Sequence, residues 1–267
     1  MASDSLFQLQ DVHFAYEDAP AIRNVNLTLE AGRFYGIIGP NGSGKTTLLD
    51  LLCGEKKPAS GKILFKGRPL RQYDNSTLSR EMALVPQEFQ INFAFSVLEV
   101  VMMGRHPYIP RFGSPSGRDW QITGNAMTAI GIDDFRDRLV TDLSGGEKQR
   151  VIVARALAQQ TPILLLDEAT SNLDIRYTLQ ILNVAKDLVS SQDRTIIAVL
   201  HNLNLAAAFC DEIVLMKNGK IHNAGATATA LTPAAIQEVF GVESRVETNV
   251  FSGVPQVNYR YFTENSS

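Results

Sequence analysis

Two cysteines among 267 residues are too few to hold a fold together by disulfides, and Cys53 and Cys210 each stand in an apolar helical context. They read as buried small hydrophobic residues, not as a disulfide or a metal pair. No apolar run approaches the roughly 20 residues needed to cross a bilayer. The longest, "PILLLDE" and "TIIAVLH", are strand-sized. The start "MASDSLFQLQ" lacks the basic region and long apolar stretch of a signal peptide, so the expectation is a chain that stays in the cytoplasm. Basic residues are not in excess: the formal net charge is -3 and no basic arm is visible, which removes the general reason to expect nucleic acid. Internal repeats, low-complexity tracts and long linkers are absent too. What remains, 45% hydrophobic and 20% charged residues with 19 glycines, excludes disordered and fibrous classes. The length suits one large domain or two small ones, and one domain with an insertion fits both.

Phe7/Leu9 and Val25/Leu27/Leu29 alternate with polar residues, "EAG" (Glu30 to Gly32) marks a turn, and the first sixty-odd residues therefore read as β-rich. "RFYGIIG" is then a short buried strand, "GPNGSG" a loop and "KTTLLDLLCG" a helix closed by Gly54. "GKILFKG" and "MALVPQ" supply two more strands. From about Phe89 to Leu157 helical signals take over: Ser96 with Glu99 forms a capping box, and Trp120, Met127 and Ile130 recur at helical spacing. Beyond come the strand "PILLLDEA", a helix across "IRYTLQILNVAKDLVSSQ", the strand "TIIAVLH", a short helix, and a hairpin turning at Asn218-Gly219. Strands alternating with helices imply an α/β fold with a mainly parallel sheet covered on both faces. The tail alternates again at Val257/Tyr259/Tyr261, the pattern of a final hairpin.

"GPNGSGKT", Gly39 to Thr46, has the spacing G-x-x-x-x-G-K-[ST] and lies between a strand and a helix, where a phosphate loop must lie. Glycines let backbone N–H groups approach phosphate oxygens, the helix N-terminus adds partial positive charge, Lys45 reaches the terminal phosphates and Thr46 ligates magnesium. "ILLLDE" ends a buried strand on two carboxylates, a costly arrangement unless a cation and a reacting water use them. Asp167 would hold hydrated magnesium and Glu168 polarise the attacking water. A lone histidine is more often structural, but His201 ends the strand "TIIAVL" at the sheet edge where ligands collect, which favours a place in the site. Gln87, ending "ALVPQ", can reach magnesium or water; alone it reads as an ordinary polar residue. Tyr16, in "HFAYEDAP", has two readings, a base-stacking aromatic or a core residue. In "LSGGEKQR", Ser144 and Glu147 form a capping box whose first turn carries Gly145 and Gly146, each costing a helix about 1 kcal/mol relative to alanine.

"GPNGSGKTT", Gln87, "LSGGEKQR", "ILLLDEATSNLD" and His201, in that order and spacing, resemble the nucleotide-binding subunit of ATP-binding cassette transporters over nearly the whole chain. The resemblance implies the phosphate-loop NTPase fold of that family. An ATPase core with an antiparallel β-subdomain would span 1–88 and 158–240, a helical signature subdomain 89–157 and a C-terminal extension 241–267. It also implies two ATP sites at a head-to-tail homodimer interface, each sandwiched between the phosphate loop of one subunit and the signature of the other. Carried over, Tyr16 resembles the adenine-stacking aromatic, and Gly39, Pro40, Asn41, Gly42, Ser43, Gly44, Lys45, Thr46 and Thr47 the phosphate loop. Gln87 resembles the magnesium-sensing loop that contacts the permease. Ser144 and Gly146, with Gly145 between them, would meet the γ-phosphate held by the partner subunit. Asp167 and Glu168 match the magnesium-linked aspartate and catalytic glutamate, Asp174 the loop crossing the dimer, and His201 the γ-phosphate sensor. ATP and Mg2+ are the implied ligands. Departures are small: "SNLD", "DEAT" and "HNLN" vary beside the reacting groups without removing one.

"VVMMGRHPY", "HNLNLAAAFCDEIVLMKNGKIHNAG" and "LTPAAIQEVFGV" are similar to subunits driving import of iron-siderophores, haem or cobalamin. The expected setting is the cytoplasmic face of the cell membrane, with integral membrane permease subunits and a substrate-binding protein as partners and without nucleic acid. Rival readings are an ABC subunit serving another substrate or an exporter, and a soluble non-transport ABC ATPase. The latter would usually carry two cassettes or long coiled-coil insertions. A scaffold subunit that does not hydrolyse ATP would be expected to lose Glu168 or His201, and both are present.

Overall fold

A computed structural model describes residues 5–17, 19–87, 89, 93–171 and 173–261. Outside them lie "MASD", Asn172 of "SNLD", part of the lead into the expected helical segment, and the last six residues of the expected extension. Two compact units result, one from 1–70 with 199–267 and one from 71–198.

Unit one opens with β1 (Ser5–Tyr16) and β2 (Ala19–Glu30), antiparallel in a register that sets Phe7 against Leu29 and Leu9 against Leu27. The alternation read in the sequence is this shared buried face. β3 (Phe34–Ile38) has all five residues buried and runs through the phosphate loop into α1 (Lys45–Cys53), which Gly54 ends in the left-handed region at φ 81°. β4 (Ser60–Phe65) and the short β5 (Arg68–Pro69) complete an antiparallel sheet in the order β2-β1-β4-β5, the expected N-terminal β-subdomain. Cys53 is half-buried, and desolvation pushes its thiol up to about 11.

Unit two begins with α2 (Asn75–Glu81), capped by Asp74, and β6 (Met82–Val85). Three helices follow: α3 (Val97–Met102), α4 (Gly117–Ile130) and α5 (Gly145–Ala158), with a 3-10 stretch at Met103–Tyr108. Each of the three starts on a reciprocal capping box, Ser96/Glu99, Ser116/Asp119 and Ser144/Glu147. Buried Val100, Val101, Met127, Ile130, Val151 and Ile152 form their common core. Trp120 departs from its helical-period partners: in the first turns of α4 it stays 48% exposed, while Ile122, Ala126, Met127 and Ile130 carry the packing. β7 (Ile163–Asp167), α6 (Ile175–Gln192) and β8 (Thr195–Val199) finish the unit, with strand order β8-β7-β6 and β6 parallel to β7.

The chain then returns to unit one. Leu200 donates its N–H to the Ile37 carbonyl at 3.1 Å, α7 (Leu203–Phe209) follows, and β9 (Glu212–Lys217) pairs in parallel with β3. β9 turns at Asn218-Gly219 (φ 51° and 76°) into antiparallel β10 (Lys220–Ala226), the mirror-image turn that this dipeptide favours. α8 (Thr227–Ala230) and α9 (Pro233–Phe240) lead to the expected final hairpin, β11 (Ser244–Thr248) with β12 (Pro255–Tyr259). Asn204 of α7 clamps β12, its Oδ1 accepting from Val257 N–H at 2.6 Å and its Nδ2 donating to the Val257 carbonyl at 3.3 Å.

Candidate functional site

The apolar run of β3 delivers the chain to Gly39 with no room for a side chain: a Cβ there would lie 2.3 Å from the Met216 carbonyl oxygen and 2.6 Å from Ser43 Oγ. Gly42 and Gly44 then take left-handed conformations (φ 75° and 99°) that L-residues resist. Gly44 is the N-cap of α1, brings no capping side chain, and is followed by no acidic residue in the first turn. The positive end of the helix is therefore left to an anion seated in the loop. Lys45 is 5% exposed and folds across the loop, donating to the carbonyls of Gly39 (3.0 Å) and Pro40 (3.1 Å). The Ser43 hydroxyl is buried without a hydrogen-bond partner among the described residues, an orphaned donor of the kind a phosphate oxygen satisfies.

The loop is braced from behind by the β9–β10 turn. Gly219 N–H donates to the Ser43 carbonyl at 3.0 Å, and the Gly219 carbonyl accepts from Arg23 N–H at 2.7 Å. Sequence reading assigned Gly219 only to a turn; the long-range bond has no local signal. Also in unit one, Tyr16 ends β1 with its hydroxyl 3.3 Å from Thr47 Oγ1, and His201 stands exposed just past β8.

Unit two holds the remaining candidates. Asp167 ends the fully buried β7 and is itself only 4% exposed, while Glu168 turns into the left-handed region at φ 49°. A glutamate there carries conformational strain, which Ser171 offsets by donating its N–H (3.0 Å) and Oγ–H (2.9 Å) to the Glu168 carbonyl. The Gln87 side-chain amide donates to Glu168 Oε2 at 2.8 Å, so these two predicted residues do meet. Asp174 caps α6 by accepting from Tyr177 N–H. At α5, Ser144 Oγ and N–H both donate to Glu147 Oε2 (2.7 and 2.8 Å), and that hydrogen bonding holds the Glu147 carboxyl below its usual range. A methyl on Gly145 would meet nothing within 4 Å, so packing inside this chain does not require the glycine. Thr46 in unit one, and Gln87 and Asp167 in unit two, each carry oxygen of the hard kind that suits magnesium.

The sequence profile of the ABC transporter family matches residues 22–171, more than half the chain and both glycine-rich elements. The chain belongs to the ABC transporter family. Among its ABC relatives it is 42% identical over 234 residues to the cobalamin import ATP-binding protein BtuD of Halobacterium salinarum, covering 88% of this chain and 58% of that protein. The chain thus spans little more than half the length of that relative. It is 36% identical over 257 residues to the hemin import ATP-binding protein HmuV of Pseudomonas entomophila, covering 94% and 99%. A solved ABC structure, an inward-facing conformation of a transporter assigned to the metal-chelate type, superposes with a TM-score of 0.81 at 29% identity, covering 96% of this chain and 97% of that one. Like the sequence, the fold is thus that of an ABC ATPase, and among the described residues no helix is long and apolar enough to cross a membrane.

Proposed function

We propose that this chain hydrolyses ATP to ADP and phosphate as the nucleotide-binding subunit of a metal-chelate importer, as a head-to-tail homodimer on the cytoplasmic face of the membrane. The observation that carries the reading is the phosphate loop, with two left-handed glycines, an orphaned Ser43 hydroxyl and an uncapped helix start, features that a bound phosphate would use together. In this reading the loop from Gly39 to Thr47 holds the phosphates through its backbone N–H groups, Pro40 having none, and through Lys45, and Tyr16 stacks on the base. Thr46, Gln87 and Asp167 hold magnesium, which when bound neutralises charge on the transferring phosphoryl group. Glu168 orients the attacking water and takes its proton, with Gln87 beside it and His201 reading the γ-phosphate. Ser144, Gly145 and Gly146 serve the nucleotide of the other subunit, and Asp174 lies in the loop that crosses the dimer. The exposed, sterically undemanding Gly145 supports this assignment. Two ATP molecules close the dimer, and loss of the γ-phosphate contacts reopens it, a motion passed to separate permease subunits supplied by a substrate-binding protein. The cobalamin and hemin relatives and the metal-chelate structure support import of a metal chelate.

Glu168→Gln and Ser144→Arg test the reading together. Each is expected to keep ATP binding while phosphate release falls on the order of 100-fold or more. Ser144→Arg also loses a helix cap worth about 1 kcal/mol, so its Tm is measured alongside. Wild-type turnover in either variant would overturn the assignment. For cargo, vesicles carrying the co-purified membrane partner are offered cobalamin, haem and an iron-siderophore. ATP-driven uptake of none of them, with hydrolysis intact, would assign the subunit to another substrate.

A further inference from the structure

Tyr16 is held by more than its strand. Its hydroxyl lies 3.3 Å from Thr47 Oγ1 in the first turn of α1, and Phe14 stands nearly perpendicular to its ring at 5.0 Å and 86°. Lys56 places its ammonium over the ring, 5.5 Å from the centroid. That lysine follows the left-handed Gly54 closing α1 and is not loose: Nζ pairs with Asp50 Oδ2 at 2.6 Å, and its backbone N–H donates to the Asp50 carbonyl at 3.1 Å. Both side chains of the pair are mostly buried, and the hydrogen bond to Asp50 raises the Lys56 pKa above its ordinary value, so the cation persists at any working pH. α1 and the turn after it thus hold this side chain at two points, the hydroxyl through Thr47 and the ring through Lys56, which Asp50 anchors. Tyr16 nevertheless remains 46% exposed.

We propose that Lys56, anchored by Asp50, is a positioning residue for the Tyr16 ring and through it for the base of the bound nucleotide. This rests on Tyr16 being the residue on which the base stacks. The ammonium fixes the ring's orientation at the mouth of the phosphate loop. It also draws electron density toward its own side, which favours an electron-rich purine against the aromatic. Affinity for the base is then set partly by two residues, Asp50 and Lys56, that touch no part of the nucleotide, while the triphosphate is held independently by the loop.

The test separates base from phosphate. Full-length wild type, Lys56→Met, Lys56→Arg, Asp50→Asn and Tyr16→Ala are titrated with ATP and with inorganic tripolyphosphate, which carries the phosphates without the base. Lys56→Met is expected to weaken ATP about two- to fivefold, the range of a partly exposed cation–π contact, and to leave tripolyphosphate unchanged. Lys56→Arg restores ATP affinity. Asp50→Asn, which keeps the lysine but loosens it, moves ATP affinity the same way by less and serves if Lys56→Met fails to fold. In turnover, KM for ATP rises and kcat does not. Equal loss of both ligands in Lys56→Met would make Lys56 a phosphate contact and overturn the proposal. So would unchanged ATP affinity in Lys56→Met when Tyr16→Ala weakens it. If Tyr16→Ala itself leaves ATP binding intact, the stacking role falls and this inference falls with it.

Discussion

Asp119 shows how much a single carboxylate does in unit two. It accepts from Ser116 Oγ and N–H and from Arg105 Nε, and these bonds, led by the Ser116 hydroxyl, pull its pKa down to about 2. A carboxyl depressed in the folded state lends stability that is complete above its unfolded value of about 4 and is lost as pH falls from there toward 2. Acid unfolding is therefore expected to include a step in that window that Asp119→Asn lacks. At neutral pH the variant should be less stable by about 3 kcal/mol, because it leaves the buried Arg105 guanidinium without its counter-charge. Paired acid and urea titrations check both, and equal stability of the two proteins at pH 7 would contradict the role. Neither partner announced itself in the sequence, since Arg105 and Asp119 are 14 residues apart and meet only because the 3-10 stretch and α4 fold together. Lys45 and Asp167, by contrast, were legible from the residues beside them, because a phosphate loop and a strand-end carboxylate are defined by local pattern.

Among elements, the β9–β10 turn has a role that its sequence only half declares. Asn218-Gly219 is a strong hairpin signal, and the hairpin forms as read, but the same turn holds the phosphate loop through Ser43. A Cβ on Gly219 would stand 2.6 Å from the Ala21 carbonyl oxygen at φ 76°, strained on both counts. Gly219→Ala is therefore expected to lower stability by about 1–3 kcal/mol and to weaken ATP binding although residue 219 belongs to none of the nucleotide motifs. Thermal melts and nucleotide titration measure the two effects, and unchanged ATP affinity in a destabilised variant would confine the turn to a structural role. Helix starts were legible where a capping box is spelled out, as at Ser96 and Ser144. The third box, Ser116/Asp119, and α2 carry no comparable local signal, because polar "PSGRD" and "DNSTLSRE" resemble loop as much as helix until an apolar face is supplied by neighbours.

Across the whole chain, legibility followed sequence distance. Strand alternation, the phosphate loop, the signature and the final hairpin could be read from within a dozen residues, whereas β3's partner could not. The parallel pairing of β3 with β9 joins positions about as far apart as Phe34 and Asp211, whose bond from backbone N–H to carboxylate spans 177 residues. That span has a consequence in time. At about 5–20 residues per second of synthesis, β3 and the phosphate loop emerge roughly 10–35 s before the strand that completes their sheet and the turn that braces Ser43. For that interval the five residues of β3, all buried in the finished fold, and the edge they present need shelter, from the ribosome surface or from a chaperone. Nascent chains stalled after Leu200 should accordingly fail to retain an ATP analogue that released full-length protein binds, and equal retention by the two would show that the loop assembles without its late partner.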